Sequence, residues 1–168
     1  VRNSYDSAYR ISYLRFNLSS IPLGMKIQTA VLQVYNSYLY SASTKIGAHY
    51  SPNNTWSEYE ITWNSKPAYE PLSVSNQTVV TEDCWYVWDV TSMVRPHISS
   101  GKVTVVLKTE DTGNLFSTYF HSEDYATATE RPRLSVTYTP SRVINLRTRD
   151  WSGNVLPSTS VQVGTNSK

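Results

Sequence analysis

Cysteine occurs once in the 168 residues, at Cys84. One thiol excludes an intramolecular disulfide framework and a zinc site built from several cysteines. Glycine is scarce too, six residues in all, and none stands in a phosphate-cradling loop. Charged side chains make up only 17 % of the chain, and 15 Lys and Arg against 13 Asp and Glu leave a formal charge of +2. So small an excess excludes a protein that reads nucleic acid through an electrostatic face. No apolar run approaches the roughly 18 residues of a membrane helix. Residue 1 opens neither a charged n-region nor an apolar h-region, so no signal peptide is expected in this stretch; if the protein is exported, its signal lay upstream or was removed.

Hydroxyl and aromatic groups fill the space that charge leaves. There are 24 Ser and 18 Thr, a quarter of the chain, with 13 Tyr and 5 Trp against 3 Phe. A neutral surface of this kind belongs to secreted β-proteins that touch sugars or neighbouring subunits rather than to cytosolic enzymes. At this length a hydrophobic core can hold one domain without covalent staples.

Period-two alternation runs through most of the chain. Leu14, Phe16 and Leu18 share one face of residues 9–18 while Tyr13, Arg15 and Asn17 share the other. Ala30, Leu32 and Val34 behave likewise in residues 27–35, as do Val103, Val105 and Leu107 in residues 102–109 and Leu134, Val136 and Tyr138 in residues 133–139. Each is the pattern of a half-buried antiparallel strand. Shorter strands are expected at residues 44–50, 77–81, 85–90 and 115–121, with turns at 22–24, 51–54, 65–67 and 111–113. An N-cap at Thr91 or Ser92 and a stop at Gly101 predict one or two helical turns, which Pro96 keeps irregular. The fold class expected is all-β, an antiparallel two-sheet sandwich of jelly-roll type with one short helix, and an up-and-down barrel is the alternative. Residues 1–140 are assigned to this sandwich. Residues 141–168 read as a strand, the turn Asp150-Trp-Ser-Gly-Asn154 and a second strand. They are expected to be a β-hairpin-like extension, either the start of an immunoglobulin-like or carboxypeptidase-regulatory-like module or a strand-donating tail. As a donor, the tail would insert Ile144, Leu146, Val161 and Val163.

Four strings are more specific. Tyr13-Leu-Arg-Phe-Asn-Leu-Ser-Ser-Ile-Pro22, Trp56-Ser-Glu-Tyr-Glu-Ile-Thr-Trp-Asn-Ser-Lys-Pro67, Trp85-Tyr-Val-Trp-Asp-Val-Thr91 and Arg131-Pro-Arg-Leu-Ser-Val-Thr-Tyr138 follow one another in this order. Over about residues 9–139 they resemble the DNRLRE domain. That family includes disaggregatase-related repeats of methanogen surface proteins and carbohydrate-binding modules attached to polysaccharide lyases. The resemblance implies a non-catalytic module, carbohydrate-binding or adhesive, within a larger extracellular or cell-surface protein. Its implied partner is a polysaccharide or cell-surface glycan. The family begins with a further strand, for which residues 1–8 are too short. That departure motivates the alternative, a structural subunit of an extracellular filament, sheath or lattice that assembles by strand addition between copies.

Sugar C–H faces stack on flat aromatic rings, so Trp56, Trp85, Tyr86, Tyr38 and Tyr40 are the candidate glycan contacts. Trp56 follows a loop. Trp85 and Tyr86 point to opposite faces of one strand, so one of them faces solvent. Tyr38 and Tyr40 lie in a serine-rich stretch that suits glycan or subunit contact alike. Trp63 and Trp88 are expected in the core. Catalysis is not expected, because His49, His97 and His121 stand outside hydrolase and metalloprotease motifs. The acidic pairs Glu82/Asp83, Glu110/Asp111 and Glu123/Asp124 are adjacent residues that a strand points apart, whereas glycoside hydrolysis needs two carboxylates across a cleft. No cofactor is expected beyond a structural calcium, with Asp111, Asn114, Glu123 and Asp124 as loop-borne oxygen ligands. Solvated loop charge is the simpler account of those four. Of the sequons at Asn17, Asn53 and Asn76, the latter two look loop-borne and are the glycosylation candidates.

Overall fold

The computed structural model describes residues 10–40, 43–111, 118–141 and 152. The order is β1 (Ser12–Asn17), β2 (Met25–Leu39), β3 (Thr44–Ser51), β4 (Ser75–Val79), β5 (Cys84–Asp89), α1 (Thr91–Val94), β6 (Lys102–Thr109), β7 (Thr118–Phe120) and β8 (Arg133–Pro140). Two antiparallel sheets form an all-β sandwich. One runs β1-β6-β3-β4; in the other, β5 pairs with one edge of β2 while β8 and β7 share the opposite edge. The strands expected within residues 9–139 are found within a few residues of their predicted bounds, and 102–109 matches at both ends, whereas the two expected in residues 141–168 lie outside the described residues. Asn76 sits within β4, paired opposite Gly47, rather than in a loop as its sequence neighbours suggest. Among the described residues no helix is long and apolar enough to cross a membrane.

The core lies between the sheets. Ala30, Leu32 and Val34 of β2 face Val103, Val105 and Leu107 of β6 and Ile46 and Ala48 of β3. In β2 the register with β8 shifts between Ile27 and Thr29, a bulge that keeps Ile27 and Ala30 both pointing inward. Trp88 is fully buried, and its indole N–H donates to the Ile46 carbonyl across the sandwich at 3.0 Å. One end is closed by α1, whose Met93 and Val94 are buried. A 3₁₀ turn, Arg95–Ser100, follows it and stops at Gly101, where φ of 68° favours glycine.

The first sheet is also covered on its outer face. Tyr13, Val106 and His49 form one row across β1, β6 and β3, and Arg15, Thr104 and Ser51 form the next. Residues 52–74, which link β3 to β4 without regular structure, lie over these rows. The Tyr13 hydroxyl donates to the Pro67 carbonyl (2.6 Å), and the Arg15 guanidinium to those of Asn54 and Trp56. His49 Nδ1 donates to the Glu70 carbonyl (2.9 Å) and the Ser51 hydroxyl to that of Ala68 (2.8 Å). In return the Trp56 indole N–H reaches the Thr104 hydroxyl (3.1 Å), which donates to Asn54 Oδ1 (2.8 Å). His49, Ser51, Thr104 and Val106 are thereby fully buried on what alternation alone would make a solvent face.

His49 is held at both nitrogens. Nδ1 donates to the Glu70 carbonyl, and Nε2 lies 2.5 Å from Glu110 Oε1. Lys108 Nζ adds a positive group 3.3 Å from the same carboxylate. Burial alone would raise the Glu110 carboxyl, but the His49 bond and the Lys108 charge outweigh it and hold the group below its ordinary 4.5. Gly47 makes room for the pair, since a Cβ there would stand 2.2 Å from Glu110 Oε1 and 2.9 Å from His49 Nε2.

Two outcomes follow for stability. Trp88→Phe loses indole contacts and leaves the Ile46 carbonyl without its donor, so urea unfolding should show a loss of about 2 kcal/mol. Gly47→Ala should drive Glu110 off His49 and cost about 2 kcal/mol at neutral pH. The depressed Glu110 carboxyl stabilises the fold above pH 4.5, and that contribution is lost as the pH falls through its lowered value. The gap between wild type and Gly47→Ala should therefore narrow on the acid side in melts taken at stepped pH; a gap that stays constant would refute the role given to the pair.

Candidate functional site

A groove of ≈ 720 Å³ runs along β1. One wall is the pinned loop, with Asn54, Trp56 and Tyr59; the other is the turn at 122–124 together with Pro132. Tyr13, Arg15 and Lys102 line it from the sheet. The groove thus depends on the side-chain donors of the sheet, because the Arg15 bonds to the Asn54 and Trp56 carbonyls hold the first wall in place.

Its aromatic groups differ in availability. Trp56 is half-buried, with Arg15 4.8 Å over its ring and Tyr13 edge-on at 5.8 Å. Burial raises the Tyr13 phenol to about 12, with neighbouring Tyr69 adding to the effect, which keeps Tyr13 a donor to Pro67. Tyr59 is 91 % exposed and offers open ring faces. A hydrogen bond to Glu58 raises its phenol above the ordinary value, and the charges of Glu58, Asp124 and Glu123 push the same way. An exposed ring among carboxylates, an amide and an ammonium can stack on an apolar sugar face while binding its hydroxyls.

The second wall is fixed by a ring clasp. His121 and Tyr125 stack at 3.4 Å, closing the turn that carries Glu123 and Asp124 into the groove. His121 stacks on Tyr35 as well, at 5.1 Å, and its Nδ1 lies 3.2 Å from Glu130 Oε2. The Arg131 guanidinium donates to the Tyr125 carbonyl at 2.7 Å.

The residues singled out from sequence fall into distinct places. Trp56 is in the groove. Trp85 faces outward but is engaged, with Arg133 4.2 Å over its ring and Tyr35 edge-on at 5.5 Å. Tyr86 is a core residue, paired opposite the buried Val34, while its neighbour Trp85 takes the outward position. The Tyr86 hydroxyl accepts from the Val80 and Thr81 amides and donates to the Thr81 carbonyl. Trp88 is in the core as expected, but Trp63 is not; it lies half-buried in the covering loop with Lys66 Nζ 3.9 Å over its ring. Tyr38 and Tyr40 are exposed near the end of β2, and Tyr38 stacks on Tyr119 at 5.2 Å. Asp111 accepts from the Lys45 amide (2.6 Å) and the Thr44 hydroxyl (3.3 Å), while Glu123 and Asp124 belong to the groove. Asn114, Ile144, Leu146, Val161 and Val163 lie outside the described residues. Among the described residues no three His, Cys, Asp or Glu side chains gather in a way that could hold a metal ion. Asn53 is exposed in the loop, its Oδ1 accepting from the Thr55 amide and hydroxyl.

Sequence reasoning missed Tyr13, Arg15, Tyr59 and Lys102 as groove residues, along with the His121–Tyr125 clasp. Aromatic rings four apart around Ser-Glu-Asp were the one local signal of the clasp.

Comparison with known proteins adds two findings. Residues 1–138 match the family described as Carbohydrate-binding module family 96. A protein described as Gellan lyase, from a Bacillus species, is 26 % identical over 97 residues, a match that covers 55 % of this chain and 4 % of that protein. The chain thus spans only a small part of that relative's length.

Proposed function

Because the chain belongs to carbohydrate-binding module family 96, we propose that the groove along β1 holds polysaccharide for a larger secreted or cell-surface protein whose chemistry is done elsewhere. The observation that carries this reading is the meeting, in one groove of ≈ 720 Å³, of the open Tyr59 ring with Trp56, Arg15, Lys102 and the carboxylates of Glu123 and Asp124. The module itself is non-catalytic in this reading, in keeping with the resemblance to the DNRLRE domain. Gellan, the polysaccharide in the relative's name, is the first ligand to try.

A second reading rests on β1. Among the described residues β1 pairs with β6 alone. A strand from another copy, such as one carrying Ile144 and Leu146, could add there. It would lie along the groove, so assembly and glycan binding would exclude each other.

Affinity electrophoresis through gels containing gellan, other acidic polysaccharides or neutral glucans tests the first reading. At least one gel should retard the wild type. Tyr59→Ala should weaken that binding about tenfold without lowering the melting temperature, since the ring is exposed. A wild type that no gel retards, or a variant that binds as well, overturns the groove assignment. Light scattering with and without the retarding polysaccharide tests the second reading, which requires oligomers that the ligand dissociates.

A further inference from the structure

We infer that the groove is one part of a longer seam, and that the module holds a linear glycan of several sugar units along β1, with a second subsite at Arg10 and Tyr119. This rests on the reading of the groove as a glycan site.

A smaller hollow of ≈ 70 Å³ lies at the start of β1, lined among others by Arg10, Ser12, Thr44, Lys108 and Tyr119. The two hollows share both flanking segments. On one side Ser12 lines the small hollow and residues 13–16 line the groove; on the other, residues 118–120 line the small hollow and residues 122–124 the groove. Both segments pass from one hollow to the next in the same chain direction. The hollows are therefore successive stations of a single furrow where the sheets part along β1. At a strand rise of about 3.3 Å per residue, their centres stand roughly 10 Å apart, more than one pyranose ring spans.

The small hollow has the chemistry of a sugar subsite. Tyr119, which lines it, is 42 % exposed and stacks on Tyr38 beside it. Arg10 Nη1 donates to the Tyr119 hydroxyl at 2.9 Å, with its guanidinium carbon 5.3 Å from that ring's centre. Among the described residues one of its five guanidinium N–H groups is bonded, and the fork geometry suits ring or hydroxyl oxygens. Thr44 and Thr118 line the floor with their hydroxyls already bonded, to Asp111 and to the Tyr38 carbonyl. The space admits a sugar substituent or one or two waters rather than a whole ring, so the ring itself would lie above it, against the exposed edges of the stacked Tyr38 and Tyr119. A chain seated in the groove presents its next units to this subsite at high effective concentration, so weak contacts there add to affinity.

Isothermal titration with size-graded gluco-oligosaccharides and oligouronates, from dimer to octamer, tests this. Affinity in the series that binds should climb about tenfold or more with length and then level off. Arg10→Gln, and separately Tyr119→Ala, should reduce the long-chain affinity to the short-chain value and leave short chains unaffected. Length-independent affinity, or Arg10→Gln binding long chains like wild type while Tyr59→Ala still loses binding, overturns the seam and leaves the groove reading standing. If neither series binds at any length and the polysaccharide gels are also negative, the groove reading falls and the seam with it.

Discussion

A stretch of chain without regular structure can lie against a sheet only if its carbonyls find donors there. In this protein the donors are side chains of the sheet itself. Tyr13, Arg15, His49 and Ser51 each give a hydrogen bond to a main-chain oxygen of the segment between β3 and β4. That set of bonds decides which face of the first sheet is dry, where the loop ends, and where the groove opens. The buried histidine needs its carboxylate partner, and the partner needs a glycine beneath it. Each residue in that chain of dependence lies some distance in sequence from the surface it supports.

Aromatic residues divide by whether their faces are already occupied. Trp88 is consumed by the core, Trp85 by Arg133 and Tyr35, Trp63 by Lys66, and Tyr35 and Tyr125 by the His121 stack. Stacked or capped rings stiffen the molecule but present edges rather than faces to a ligand. Among the described residues Tyr59 and Tyr40 are the rings with most of their surface in water. A protein rich in tyrosine and tryptophan thus commits most of them to its own architecture and keeps few for contact.

Much of the fold was legible because alternation is a local property. The runs at Val103, Val105 and Leu107 and at Ala30, Leu32 and Val34 placed two strands with their inward faces, and Gly101 marked the end of the helical turns. The site was less so. Tyr13 and Arg15 read as solvent-facing by the same rule, and only a loop some forty residues on, folded over them, buries their neighbours. Alternation could say that Trp85 and Tyr86 differ in facing but not which one the core would take. The bulge in β2 and the pairing of β2 with β5, β7 and β8 set that, and both depend on distant register. Asn76 looked like a loop residue because its run of polar neighbours hides an edge strand.

The sheet recognises the covering loop chiefly through main-chain oxygens, which every amino acid presents alike. The loop's side chains are thereby released from holding it down. Ser57, Glu58 and Tyr59 can be exchanged for other residues without disturbing the bonds at Asn54, Trp56, Pro67, Ala68 and Glu70. Such a wall can diverge in sequence between relatives, or be rewritten by design, while the scaffold beneath it stays constant.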